Sequence, residues 1–128
     1  MQQYTIAIYD DTMNLLRLRG LCKTAIRKGT GYILHHMQTT IGDDISISPC
    51  TGARVAAVIW EVNYNDFMQL DMEYGYPLVS GRYYVDVAYY NEVIHCLAYY
   101  NQPQCIEALP QKWTDYFNHS QTLQNQTG

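Results

Sequence analysis

Tyr4, Ile6 and Ile8 alternate along the start of the chain and fall on one face of a strand over Tyr4–Tyr9. Thr12 caps a short helix from Met13 to about Cys22, with Leu15, Leu18 and Cys22 as its apolar stripe and Gly20 weakening its end. Ala25–His36 reads as a long strand, and Gly29–Gly31 within it predict a bulge or bend. Asp44–Ser48 reads as a short strand, Pro49–Gly52 as a turn, and Ala53–Val62 as a nearly continuous apolar strand at the centre of a sheet. Asn63 is placed to cap a second helix running to about Glu73, with Asp66 at the capping-box position and Phe67 and Leu70 facing inward. Gly75 and Pro77 end that helix. Gly81–Tyr89 and Glu92–Tyr100 form a hairpin about Tyr90-Asn91, and Ile106–Phe117 reads as a last helix begun or broken at Pro110.

The predicted order is β-α-β-β-β-α-β-β-α. It lacks the strict alternation of a doubly wound sheet, so the expected class is α+β: a small curved mixed sheet or barrel flanked by helices. A chain of 128 residues fits one core. The expected single domain covers residues 1–118, followed by a polar tail, 119–128, expected to be disordered.

Composition narrows the function. Hydrophobic residues make up 48% and charged residues 16%, which is globular. The net charge is −4 with only eight Lys and Arg. Four of these (Arg17, Arg19, Lys23 and Arg27) fall in one stretch that a solvated helix end accounts for. A surface that tracks phosphates needs more clustered cations, so no nucleic-acid partner is expected. No apolar run approaches the roughly 18 residues of a membrane span, and Met1–Tyr9 lacks the basic residues and long apolar core of a signal peptide. The cysteines Cys22, Cys50, Cys96 and Cys105 form no C-x-x-C pair, which fits a reduced cytoplasmic setting. His35 and His36 are strand neighbours pointing to opposite faces, and His95 beside Cys96 has the same geometry, so no metal is expected. Gly29-Thr30-Gly31 lacks the G-K-[ST] of a phosphate loop, and no cofactor is expected. Thirteen tyrosines suit strands that line a cavity with hydroxyls needing partners.

The run V-A-A-V-I-W-E-V at Val55–Val62, followed by L-D-M-E-Y-G-Y-P at Leu70–Pro77, resembles the gamma-glutamylcyclotransferase-like family. Members carry a strand ending V-W-E-I or similar and a helix ending L-D-x-Y-E-G-x-P. Arg82–Val87 and His95–Tyr100 resemble the strands that follow, and Tyr9–Asn14 occupies the place of the family's Y-G-S-N-x-N loop. The resemblance covers about Tyr4–Asn101. It implies a compact mixed barrel. It also implies a reaction in which a glutamate acts as acid/base while a substrate's α-amino group attacks its own γ-carbonyl, releasing 5-oxoproline.

Residue by residue, the family's catalytic glutamate falls on Tyr74, and Glu73 stands one position earlier. One residue turns a helical side chain by about 100°, and a general base must reach within about 3 Å of its proton. The loop's glycine and serine positions hold Asp10 and Asp11, and its asparagine position holds Thr12. These acids either begin the first helix, where negative charge suits the dipole, or line a pocket and repel an amino acid's carboxylate. The expected ligand wall is Tyr9, Asp10, Asp11, Thr12, Tyr74, Ser80 and Arg82, with Glu73 as the one candidate catalytic residue. Three functional readings follow. The first is a pseudoenzyme that binds or sequesters a small molecule, an amino-acid or nucleotide conjugate. The second is an active gamma-glutamyl amine cyclotransferase using Glu73, and the third is a protein-interaction domain whose pocket Tyr74 and Tyr76 plug.

Overall fold

The computed structural model describes residues 2–102. The expected helix at Ile106–Phe117 and the polar tail lie outside the described residues. The elements run β1 (Tyr4–Ile8), α1 (Thr12–Leu18), β2 (Ile26–Ile41), β3 (Asp44–Val62), α2 (Tyr64–Tyr74), β4 (Ser80–Tyr89) and β5 (Glu92–Asn101). The strands close into a barrel in the order β1-β3-β2-β4-β5. All neighbours are antiparallel except β1 and β5, whose parallel contact at Ile6 and Leu97 completes the ring. The α+β class and the barrel are as the sequence predicts.

Side-chain alternation divides the apolar residues into two cores. Ala7, Ile33, Val55, Ala57, Ile59, Val85, Val87, Cys96 and Ala98 fill the barrel. Their strand neighbours Ile6, Ile8, Trp60, Val62, Leu97 and Tyr99 point outward and are covered by Met13 and Leu16 of α1 and Phe67 and Leu70 of α2. Ile6–Ile8 of β1 and Ile59–Trp60 of β3 are therefore buried on both faces, which explains their consecutive apolar residues. Gly31 sits at the β2–β4 seam, where a Cβ would lie 2.6 Å from the Ala88 carbonyl oxygen, so only glycine lets the barrel close there.

The register of the long hairpin differs from expectation. β3 is one strand of 19 residues, with no reversal at Pro49–Gly52. β2 continues past His36, and the chain turns at Gly42-Asp43 instead. Leu34 pairs with Arg54 and His36 with Pro49, so Cys50–Ala53 bulge out opposite His35 alone. Gly52 supplies the left-handed residue of the bulge (φ 87°) and donates its N–H to His35 Nδ1 at 3.2 Å. The turn-forming residues were real, but the ladder absorbed them as a bulge. The expected irregularity at Gly29 is present as a register shift between Arg27 and Gly29.

α1 is shorter than expected and rotated. It ends at Leu18, with Met13 and Leu16 buried, while Leu15 and Leu18 are exposed. The direction in which the chain leaves the barrel at Asp10-Asp11 sets the helix phase, and seven residues are too few for the apolar count to override it. α2 follows its capping signals. Asn63 Oδ1 accepts the Asp66 N–H at 2.8 Å. The helix closes with Gly75 left-handed (φ 71°), Gly75 N–H on the Met72 carbonyl and Tyr76 N–H on the Asp71 carbonyl. The Tyr76–Pro77 peptide is cis.

Candidate functional site

β1 ends at Ile8 and delivers Tyr9–Thr12 to the rim of the barrel, opposite the C-terminal turn of α2. Asp10 Oδ1 accepts two hydrogen bonds, one from the Thr12 N–H at 3.1 Å and one from the Tyr74 hydroxyl at 2.9 Å. The first closes a turn that leads into α1. The N-cap position is Asp11, which makes no side-chain cap bond, so Thr12 does not cap the helix as expected but is its first residue. The second ties the loop to the position that the resemblance assigns to the catalytic glutamate.

Tyr74 is half-buried, stacked on Tyr99 with ring centroids 4.1 Å apart. Burial first, then the charge of Asp10, pushes its phenol well above the ordinary value. A hydroxyl so held donates a proton in a hydrogen bond and does not abstract one. Glu73 diverges from Tyr74, as the 100° step requires. Its Oε1 lies 3.3 Å from Arg19 Nη1 in a pair that is exposed on both sides. Behind Tyr99 lies a second cluster. Arg82 Nε and Nη2 grip the two oxygens of Asp71 at 3.0 and 3.1 Å, and the Tyr99 hydroxyl donates to Asp71 Oδ1 at 2.5 Å. Arg82 is also sandwiched over the rings of Tyr76 (3.9 Å) and Phe67 (4.7 Å).

An open cavity of about 320 Å³ lies between the Tyr9–Thr12 loop, the end of α2 and the tip of the β2–β3 hairpin. Asp10, Asp11, Asp43, Asp44 and Glu73 line it, with Thr12, Tyr74, Ser80 and Asn101 among the remaining wall. No lysine or arginine is among the lining residues. Ser80 is buried and donates to Asn101 Oδ1 at 3.2 Å. Among the described residues, no three His, Cys, Asp or Glu side chains converge to hold a metal ion.

Of the sequence-derived set, Asp10, Asp11, Thr12, Glu73, Tyr74 and Ser80 share this cavity. Tyr9 and Arg82 do not line it. The Tyr9 hydroxyl is committed to the Tyr99 carbonyl at 2.5 Å, and Arg82 is committed to Asp71. Tyr76 is stacked on Arg82 and leaves the cavity open. Three residues escaped the sequence reading. Asp43 and Asp44 arrive only because the hairpin turns at Gly42, a turn hidden by the stronger signals at Pro49–Gly52. Asp71 stands in the quoted L-D-x motif, and its helical position beside a conformational stop gave no hint of an arginine arriving from β4.

The fold and site thus define a small α+β barrel with an acidic cavity where its first loop meets its second helix. No protein-family model and no curated protein matches the chain. Solved structures do. One titled a gamma-glutamyl cyclotransferase aligns over 90% of this chain and 86% of its own, at 16% identity and TM-score 0.65. An AIG2-like protein from Mus musculus aligns over 86% of both chains, also at 16% identity and TM-score 0.65. An uncharacterised protein from Pyrococcus horikoshii aligns over 77% of both at 17% identity and TM-score 0.55. The chain has the gamma-glutamylcyclotransferase-like fold, in a sequence far diverged from these neighbours.

Proposed function

We propose that this protein binds a small amine-bearing molecule in the acidic cavity and lacks cyclotransferase chemistry. One observation carries the reading. The place expected of the acid/base is held by Tyr74, whose hydroxyl is donated to Asp10, while Glu73 faces Arg19 across the surface. Five carboxylates around one cavity attract a cation and repel an anion, so of the two ligand classes considered, the amino-acid conjugate presenting an amine fits and the phosphate of a nucleotide conjugate does not. A barrel that keeps its cavity and lacks its base sequesters what it binds. The free Cys22, Cys50 and Cys96 are consistent with a reducing, cytoplasmic setting.

The test has two arms. The first assays 5-oxoproline release from gamma-glutamyl amines and gamma-glutamyl dipeptides, with no turnover expected. Turnover abolished by Glu73→Gln and kept by Tyr74→Phe would replace this reading with the active-enzyme one. The second titrates the wild type and the Asp10→Gly/Asp11→Ser variant with the same ligands. The variant is expected to gain affinity for ligands with a free α-carboxylate. Equal binding would reduce the two acids to starting a helix.

A further inference from the structure

On the outer wall of the barrel, away from the acidic cavity, β3, β2 and β4 carry Ala56, Tyr32 and Ala88 in one cross-strand row. Tyr32 therefore stands between two methyl groups in its own row, and 42% of it is exposed. Arg54 enters from the next row of β3 and lays its guanidinium over the Tyr32 ring, 4.2 Å from the centroid. Tyr90, at the β4–β5 turn, rises opposite with 81% of its surface exposed and is braced edge-on against Tyr89. Together with Gly31 these residues border a recess of about 520 Å³.

The chemistry of Arg54 is what distinguishes this recess. Among the described residues Arg54 has no carboxylate within ion-pair distance; Arg17, Lys23 and Arg27 also lack one, but of these four cations Arg54 alone lines this recess. Stacking holds a guanidinium by its face and leaves its N–H donors free in the plane, arranged for a bidentate anion. The small floor and the two exposed phenol rings leave room beside those donors for a flat group.

We infer that this recess is a second ligand site, taking a planar ring that carries an anionic phosphate or carboxylate. The ring lies on the Gly31–Ala56–Ala88 floor against Tyr32 and Tyr90, and the anion meets the edge of Arg54. The site is independent of the acidic cavity and of opposite charge preference.

The experiment is an amide NMR titration of the full chain with adenosine monophosphate and, separately, with 4-hydroxyphenylacetate, so that phosphate and carboxylate sources are told apart. Saturable shifts at Gly31, Tyr32, Ala88 and Tyr90 are expected with at least one probe. Adenosine and inorganic phosphate, each half a ligand, are expected to bind at least about tenfold more weakly than the intact nucleotide if the phosphate source is the right one. Arg54→Ala is expected to weaken the binding probe by about tenfold or more. Arg54→Lys keeps the charge and the fold but not the fork, and is expected to weaken it several-fold. Absence of saturable shifts with both probes, shifts centred on the Asp10–Glu73 cavity, or wild-type affinity in Arg54→Lys and Arg54→Ala would each overturn the inference.

Discussion

Two carboxylates on the last turns of α2, Asp71 and Glu73, stand two residues apart and lead different lives. Asp71 faces the barrel wall, where Arg82 holds both of its oxygens and Tyr99 adds a third bond. Glu73 faces the cavity mouth and shares one contact with an exposed Arg19. Between them Tyr74 stacks on Tyr99 and reaches across to Asp10. The helix dictates only that side chains so spaced diverge. What lies opposite each one decides whether its charge is neutralised inside or left to attract a ligand from outside.

The largest expected effect comes from breaking the inner pair. In Arg82→Leu, Asp71 loses its cationic partner with only 12% of its side chain exposed. Loss of one partner of such a pair costs about 3 kcal/mol, to be read from urea denaturation, and a change below about 1 kcal/mol would show that solvent already screens the cluster. Tyr74→Phe removes the bond between loop and helix while leaving the ring stack intact. The expected loss is about 1–2 kcal/mol, with Asp10 and Thr12 amide resonances shifted.

Alkaline titration sharpens the same contrast. Burial first, with the charge of Asp10 second for Tyr9 and Tyr74 and the hydrogen bond to Asp71 second for Tyr99, raises all three hydroxyls above the ordinary phenol range. A group whose folded pKa exceeds its unfolded value contributes stability that is complete below the unfolded pKa and is lost as pH rises through the folded one. Melting temperature should therefore fall as pH climbs above about 10. Tyr74→Phe should show a shallower fall. Burial also pushes the Cys22 and Cys96 thiols up to about 11, adding the same sign from about pH 9 upward. The smallest effect belongs to Glu73→Gln. An ion pair with side chains 56% and 38% exposed contributes no more than about 1 kcal/mol, and a larger loss in a thermal melt would mean that Glu73 supports more than its pairing shows.

Much of the scaffold was legible. The β4–β5 hairpin about Tyr90-Asn91, the caps of α2 and the buried end of β3 all follow from local chemistry that the tertiary structure leaves in place. The errors share one cause. The apolar stripe assigned to α1 and the turn assigned to Pro49–Gly52 were both correct as local preferences and were both overruled by what the barrel pairs them with. Asp43 and Asp44 were missed at the cavity for that reason.

By itself the sequence determined the barrel's apolar alternation, the irregularity at Gly29 in β2, and the absence of a glutamate where the resemblance places the acid/base. Those are properties of single positions and of spacing along one strand or helix, and the backbone cannot evade them. Only the tertiary structure decided which charges are matched. That Asp71 meets Arg82, that Glu73 meets Arg19, that the hairpin tip adds two acids to the cavity and that Arg54 rests on Tyr32 with no acid beside it are all contacts between separate elements. Coulomb interactions act over a few ångströms through space, and the distance along the chain between the partners carries no information about them.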